Sequence, residues 1–401
     1  MYLGFIEDLA FRHGKMAFVA GPRQVGKTTL SKQLLLSNER GQYHSCDDPG
    51  FRRQWVRDPM ALVPQEVGEP RVIVFDELHK APRWKTNLKG LFDTRAENAR
   101  ILVTGSARLD LFRRGGDSLV GRYFLFRMHP LTLGELTMGP DRPPSPADLA
   151  TALTIKLDGH PDLLADLLAH GGFPEPYLRR DATFTTLWRR TRTERLVRED
   201  LRDMNRVHDV ALIETAATLL PERVGSPFSY RSLAEDLEVS QPTAKRWVEW
   251  LEQIHLAFRI QPHHRSLPRA LKKQPKLYLW DWSEVPDEGA RFENIVAGHL
   301  LKAVQAWTDG GLGTFELRYL RDKEQREVDF LILRDRRPWM LVEAKLKDQR
   351  PSSHLRYFAG ALRPAIVVQL VSEGGVQEWF DVPGKTRGQL VSADAFLRLL
   401  P

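Results

Sequence analysis

Apolar residues follow two regimes along the chain. In the first third they come in short unbroken runs: MAFVA at 16–20, RVIVFDEL at 71–78 and RILVTG at 100–105. Such runs suit strands covered on both faces, as in a parallel sheet. Helix-period segments such as 84–97 lie between them. Strands alternating with helices predict a wound parallel α/β sheet. The segment 137–150 (TMGPDRPPSPADLA) holds four prolines and few apolar residues, and reads as a linker. Residues 151–170 and 182–220 have apolar positions at helical spacing and almost no strand signal. Residues 228–254 read as helix, tight turn, helix, and 256–282 as the strands of a wing. From 290 the pattern returns to mixed α/β, with a helix at 290–307 and strands near 315–320, 327–334, 339–345 and 364–371.

The 401 residues are enough for two to four domains at roughly 150 residues each. A hydrophobic content of 42% excludes disorder of the whole chain. The single cysteine, Cys46, excludes a disulfide scaffold and cysteine-based zinc fingers, and fits a reducing cytoplasm. The opening MYLGFIEDLA carries acids and no basic region, so a signal peptide is not expected. No apolar run approaches the ~18 residues of a membrane span, and no membrane partner is expected.

GPRQVGKT, from Gly21 to Thr28, matches G-x-x-x-x-G-K-[ST] between a buried strand and a helix. Gly21 and Gly26 permit a loop whose N–H groups converge on phosphate oxygens, and the helix that follows adds its positive end. Gly21, Pro22, Arg23, Gln24, Val25, Gly26, Lys27, Thr28 and Thr29 form the candidate nucleotide loop. Lys27 would reach the β- and γ-phosphates, and the Thr28 hydroxyl would ligate Mg²⁺. The strand VIVFDE (Val72–Glu77) ends in two carboxylates at the edge where open α/β sheets bind ligands. Asp76 is the expected metal holder and Glu77 the general base. There is no guanine-selecting N-K-x-D motif.

GPRQVGKTTL, VFDELHK, VTGSARLDL, LVGRYFLFRMHPLTLGEL and GGFPEPYL (Gly171–Leu178) together resemble a family of prokaryotic AAA-type ATPases. Its members carry a helical lid, a winged helix and a C-terminal nuclease-like domain, and the resemblance covers nearly the whole chain. It implies ATP and Mg²⁺ as cofactors and a homo-oligomer, with a hexamer among its forms, in which an arginine is donated across a subunit interface. The arginine candidates are Arg108, Arg113, Arg114 and Arg122, with Arg122 first. The resemblance also places a polar residue at Thr104 or Ser106, preferably Ser106, to orient the lytic water.

In the helix-turn-helix, Leu233, Ala234 and Leu237 would pack the first helix, and Trp247, Leu251 and Ile254 the second. Ser240 would cap the second helix and Pro242 fit its first turn. Between Gln241 and Lys276 there are eight Lys/Arg against Glu249 and Glu252. That net +6 is nearly the whole formal excess of +7. Positive charge clustered on such a motif is the footprint of a phosphate backbone. The candidate DNA contacts are Thr243, Lys245, Arg246, Arg265, Lys272 and Lys273, on double-stranded or branched DNA. The alternative is a rigid protein-binding module with a solvated basic face.

The stretch EVDFLILRDRRPWMLVEAKLK places Asp329 on one strand and Glu343 and Lys345 on the next. Residues i and i+2 share a face. A hairpin can therefore bring Asp329 opposite Glu343 and Lys345, where the carboxylates would hold Mg²⁺ or Mn²⁺. This D…E-x-K arrangement resembles the PD-(D/E)XK nuclease superfamily, and Glu293 matches an acidic residue often found in its preceding helix.

The expected fold class is α/β. It comprises an AAA-type P-loop domain (1–136), a linker (137–150), a helical lid (151–220), a winged helix (221–284) and a restriction-endonuclease-like domain (285–401). Three functions are open: an ATP-hydrolysing DNA-processing motor with a metal-dependent nuclease, a DNA-stimulated translocase or branch-migration motor whose nuclease fold does not cut, and a nucleotide-gated scaffold for proteins.

Overall fold

The computed structural model describes residues 1–38, 41–63, 71–105, 119–138, 145–200, 209–263, 274–347, 350–384 and 386–401. The chain divides into two compact units, Met1–His129 and Pro130–Pro401.

The first unit is built on five strands: β1 (Met16–Ala20), β2 (Gln42–Ser45), β3 (Arg71–Asp76), β4 (Ala99–Gly105) and β5 (Tyr123–Arg127). They run parallel in the order β2-β3-β4-β1-β5. The unbroken apolar runs occupy the middle of this sheet, and Val72 to Phe75 are fully buried. β2 (QYHS) and β5 (YFLFR) are the edges. Each is covered on fewer sides, so each lacks the unbroken apolar run that announces β1, β3 and β4. Because all five strands point the same way, Ala20, Asp76 and Gly105 end on one edge of the sheet. The helices Lys27–Leu36, Pro49–Arg57 and Trp84–Thr94 connect the strands.

In the second unit a helix begins inside the segment expected as a linker. It spans Pro146–Ala152, with Ser145 as its cap (Ala147 N–H to Ser145 Oγ, 3.2 Å). The proline that suggested a loop sits at the first helical position, where its missing N–H costs nothing. The helices Pro161–His170, Pro174–Arg179, Ala182–Arg195 and Val210–Leu219 follow. Between the first two lies the double glycine of the GGFPEPYL segment. Gly171 has φ +75°, and a Cβ there would lie 2.4 Å from Asp281 Oδ1. A Cβ on Gly172 would lie 2.6 Å from the Trp282 ring. The motif is thus the seat of the 281–283 turn, whose Trp282 Nε1–H donates to Leu167 O (2.6 Å).

The two helices expected at 228–254 span Tyr230–Asp236 and Gln241–Gln253. Ser240 caps the second (Thr243 N–H to Ser240 Oγ, 3.3 Å), and Glu238 turns the chain with φ +53°. Leu233, Ala234, Leu237, Trp247, Leu251 and Ile254 are all buried. An antiparallel pair follows, β6 (Ala257–Pro262) and β7 (Lys276–Leu279). β6 also pairs in parallel with β8 (Phe315–Arg321), so the hairpin is continuous with the C-terminal sheet. The remaining strands are β9 (Glu327–Arg334), β10 (Arg337–Lys345), β11 (Ile366–Val371), β12 (Gln377–Asp381) and β13 (Arg387–Ser392). The eight-stranded order is β12-β13-β11-β10-β9-β8-β6-β7. The boundary expected between residues 284 and 285 therefore falls within one sheet. The sequence pattern shows β8 to β11 and leaves β12 and β13 unannounced. The helix Glu288–Asp309 carries Phe292, Ile295, Val296 and Leu300 into the core. Among the described residues, no helix is long and apolar enough to cross a membrane.

Candidate functional site

The Gly-rich loop leaves β1 and enters the helix Lys27–Leu36. Gly26 has φ +103°, a conformation that favours glycine. Gly21 is required by proximity, since a Cβ there would lie 2.3 Å from Met128 O. That approach follows from the ladder beside it, in which Met128 N–H donates to Ala20 O (2.7 Å). Pro22 and Val25 are buried, Arg23 is half-buried, and Gln24, Thr28 and Thr29 are exposed. Lys27 folds back into the loop, its Nζ donating to Gly21 O (3.0 Å) and Pro22 O (2.7 Å).

Asp76 is the hub of this edge. Its Oδ2 accepts from Thr28 Oγ1 (3.0 Å) and from the Tyr43 hydroxyl (2.5 Å), and its Oδ1 accepts from Thr104 Oγ1. Side chains from three strands and the loop helix thus meet at one buried carboxylate. Burial, then the Asp76 carboxylate, pushes the Tyr43 hydroxyl well above its ordinary pKa, so it remains a donor. Glu77 has φ +56°, uncommon for a non-glycine residue. Its Oε2 lies 3.7 Å from His79 Nε2 and 3.8 Å from Lys80 Nζ. Lys80 also donates to Asp47 (2.9 Å), which holds the Asp47 carboxyl below its ordinary range. Tyr43 carries no motif in the sequence; only the β2–β3 pairing brings it to Asp76.

Of the two polar candidates, Thr104, on β4, donates to Asp76. Ser106, Arg108, Arg113 and Arg114 lie outside the described residues. Arg122 is committed within its own unit, its Nε to Asp93 Oδ1 (2.7 Å) and Nη2 to Asp93 Oδ2 (3.0 Å).

The second unit brings Glu293, Asp329, Glu343 and Lys345 into one cluster, with Asp329 and Glu343 buried and Glu293 and Lys345 half-buried. Asp329 Oδ2 accepts from Ala344 N–H (3.0 Å), and Glu343 Oε2 from Asp329 N–H (3.4 Å). Lys345 Nζ lies 2.9 Å from Glu343 Oε1. Burial, then the Asp329 charge, pushes the Glu293 carboxyl up to about 7 and that of Glu343 up to about 8. The addition is Lys276. Its Nζ lies 2.7 Å from Glu327 Oε1 and 3.0 Å from both Glu293 Oε1 and Asp329 Oδ1. Tyr278 donates to the same Glu293 oxygen (2.6 Å). Among the described residues, no group of three or more His, Cys, Asp or Glu side chains is arranged to hold a metal ion. The carboxylates that the sequence suggests as ligands of Mg²⁺ or Mn²⁺, Asp329 and Glu343, are engaged by protein donors.

This alters the basic face of the helix-turn-helix. Lys276 points into the acidic cluster and is 1% exposed. Arg259 bonds Glu252 and the Tyr230 hydroxyl. Arg265, Arg269, Lys272 and Lys273 lie outside the described residues. Lys245 and Arg246 are exposed on the helix Gln241–Gln253, with Arg246 over the Trp250 ring (5.3 Å). Thr243 is half-buried, its Oγ1 2.8 Å from Ser240 Oγ.

Residues 13–137 match a family model described as an AAA domain. Residues 161–283 and 288–377 match two domains of unknown function, DUF8612 and DUF4143. An uncharacterised protein of Mycobacterium tuberculosis (strain H37Rv) is 25% identical over 345 residues, covering 82% of this chain and 70% of its own. One of Methanocaldococcus jannaschii is 26% identical over 328 residues, covering 73% and 67%. Among solved structures, the Aeropyrum pernix ORC1 protein in complex with DNA aligns at 15% identity and TM-score 0.29, over 71% of this chain and 86% of its own. A Thermotoga maritima RuvB variant aligns at 17% and TM-score 0.30, over 64% and 87%. Those scores are too low to assign a common fold. The N-terminal region is thus of AAA type by its family match, with a Gly-rich phosphate-type loop on a parallel five-stranded α/β sheet.

Proposed function

We propose that the chain is an ATP-hydrolysing, DNA-processing motor whose second unit grips DNA without cutting it. The observation that carries the hydrolytic part is the convergence of Thr28, Tyr43 and Thr104 on Asp76 beside the Lys27 loop. In this reading Lys27 swings from the loop carbonyls to the β- and γ-phosphates, and Thr28 and Asp76 hold Mg²⁺. Glu77 takes the proton of the attacking water, and Thr104 positions Asp76. Nucleotide-bound Mg²⁺ supplies charge neutralisation at the γ-phosphate. Residues 151–220 act as the lid and 221–284 as a winged helix, with Lys245 and Arg246 facing phosphates. Residues 285–401 serve as a nuclease-like platform. Subunits assemble as a homo-oligomer, and Arg122 is the residue offered to the neighbouring site.

The test is ATP turnover with and without plasmid, linear and branched DNA. Stimulation by DNA without strand breakage is expected, with turnover abolished in Lys27→Ala. Retained turnover in that variant would refute the site. A second reading is a nucleotide-gated scaffold for proteins. It draws on Arg259 and Lys276, two of the basic residues of the wing, being spent on internal carboxylates. DNA that neither binds nor changes turnover would leave that reading standing.

A further inference from the structure

We propose that the acidic cluster of the second unit carries its own cation, the Lys276 ammonium, and for that reason takes no divalent metal ion. The inference rests on the nuclease-like reading of β9 and β10 and names the residue that sets its chemistry.

The position comes first. An ammonium has three N–H donors and no acceptor. Lys276 Nζ meets three carboxylate oxygens at 2.7 to 3.0 Å, on Glu327, Glu293 and Asp329. A divalent cation held by these carboxylates would need its oxygens at roughly 2.0–2.6 Å. It would have to stand where the nitrogen stands.

Most of the remaining ligand atoms are also engaged. Asp329 Oδ2 is held by Ala344 N–H, and Glu343 by Lys345 and Asp329 N–H. Glu293 Oε1 takes the Tyr278 hydroxyl as well as Lys276. Glu327 Oε2 takes Arg321 Nη1 (2.6 Å).

Charge points the same way. Buried carboxylates are tolerated when they are paired. The four carboxylates of Glu293, Glu327, Asp329 and Glu343 face the cations of Lys276, Arg321 and Lys345. Three cations are thus already packed against the four carboxylates.

The ammonium is also fixed in place by its backbone. β7 is paired to β6 with Lys276 opposite Ile260, and Lys276 bridges Pro227 on its other side. Leu279 is clamped by Asn294, its N–H to Oδ1 (2.8 Å) and its O to Nδ2 (2.9 Å). Leu277, Tyr278 and Leu279 are buried beside it. The cluster is therefore a closed ionic knot joining the hairpin to β9 and to the helix Glu288–Asp309, and a site for holding rather than cutting.

The test is Mn²⁺ binding to the full chain without nucleotide, read by electron paramagnetic resonance. The Asp76→Asn substitution is present throughout to silence the other acidic site. No Mn²⁺ is expected to bind at the cluster. Adding Lys276→Met should create one site, lost again when Asp329→Asn is added, and Mn²⁺ should raise the Tm of the Lys276→Met protein. Mn²⁺ bound with Lys276 present, and lost in Asp329→Asn, would overturn the proposal while leaving the nuclease-like reading intact. If Lys276→Met folds by circular dichroism and binds no Mn²⁺, the carboxylates are not a metal-capable set, and the nuclease-like reading falls with the proposal. If Lys276→Met does not fold, the Asp329→Asn comparison decides alone.

Discussion

The Tyr43 hydroxyl donates to Asp76 Oδ2 at 2.5 Å, the oxygen that also accepts from Thr28 Oγ1 at 3.0 Å. In the proposed site, that oxygen must turn to Mg²⁺ when nucleotide arrives. A hydrogen bond to a charged group contributes about 1.5–3 kcal/mol. Tyr43→Phe should therefore lower the Mg²⁺ concentration that half-saturates ATP turnover, by roughly ten- to a hundredfold. Titrating Mg²⁺ at fixed ATP measures it; an unchanged or raised midpoint would show that Tyr43 does not restrain Asp76.

Lys27 and Glu77 should separate binding from chemistry. Lys27→Ala should lose both nucleotide affinity and turnover. Glu77→Gln should still bind ATP but lose kcat by ~10²–10⁴, the usual worth of a general base. Fluorescent-nucleotide binding alongside steady-state turnover distinguishes the two variants.

Arg122 is half-buried and paired with Asp93 in its own chain, so serving a neighbour would require this pair to open. If Arg122 serves a neighbour, Arg122→Ala should lower turnover by ~10³. Asp93→Asn, which only releases the arginine, should retain turnover. Mixing Arg122→Ala with Glu77→Gln subunits should restore part of the activity, because a mixed interface joins an intact base to an intact arginine. No recovery on mixing would place Arg122 outside the site.

Gly171 tests the seat under the 281–283 turn. Its φ of +75° and a Cβ that would lie 2.4 Å from Asp281 Oδ1 leave no relaxed place for a methyl group. Gly171→Ala should cost about 1–3 kcal/mol and lower the Tm measured by calorimetry, with the same substitution at the open Gly375 as a control.

Glu284 should make stability depend on pH. Burial, then the Asp281 charge, pushes its carboxyl up to about 7. The folded chain therefore holds this proton more tightly than the unfolded one. Its contribution is complete below the ordinary carboxylate range and is lost as the pH rises through about 7. Tm should fall over that window relative to Glu284→Gln, which cannot ionise; parallel curves for the two proteins would contradict the assignment.

Whatever depends on neighbours in the chain is legible in the order of the residues. MAFVA, RVIVFD and RILVTG announce central strands because a strand covered on both faces must be apolar throughout. GPRQVGKT announces the loop because its glycines and lysine act within eight consecutive residues. The Ser240 cap, the inner stripe of the helix Gln241–Gln253 and the shared face of Glu343 and Lys345 follow from helix and strand periods. Tertiary structure alone decided which long-range partners each charge meets. Lys276 counts as one more positive residue in a basic stretch until strand pairing turns it toward Asp329, 53 residues away. Tyr43 lies on a polar edge strand with no motif, and reaches Asp76 only through the β2–β3 register. Arg122 meets Asp93, 29 residues earlier. Composition fixes how much charge a chain carries, and packing decides whether that charge faces solvent, phosphate or another side chain.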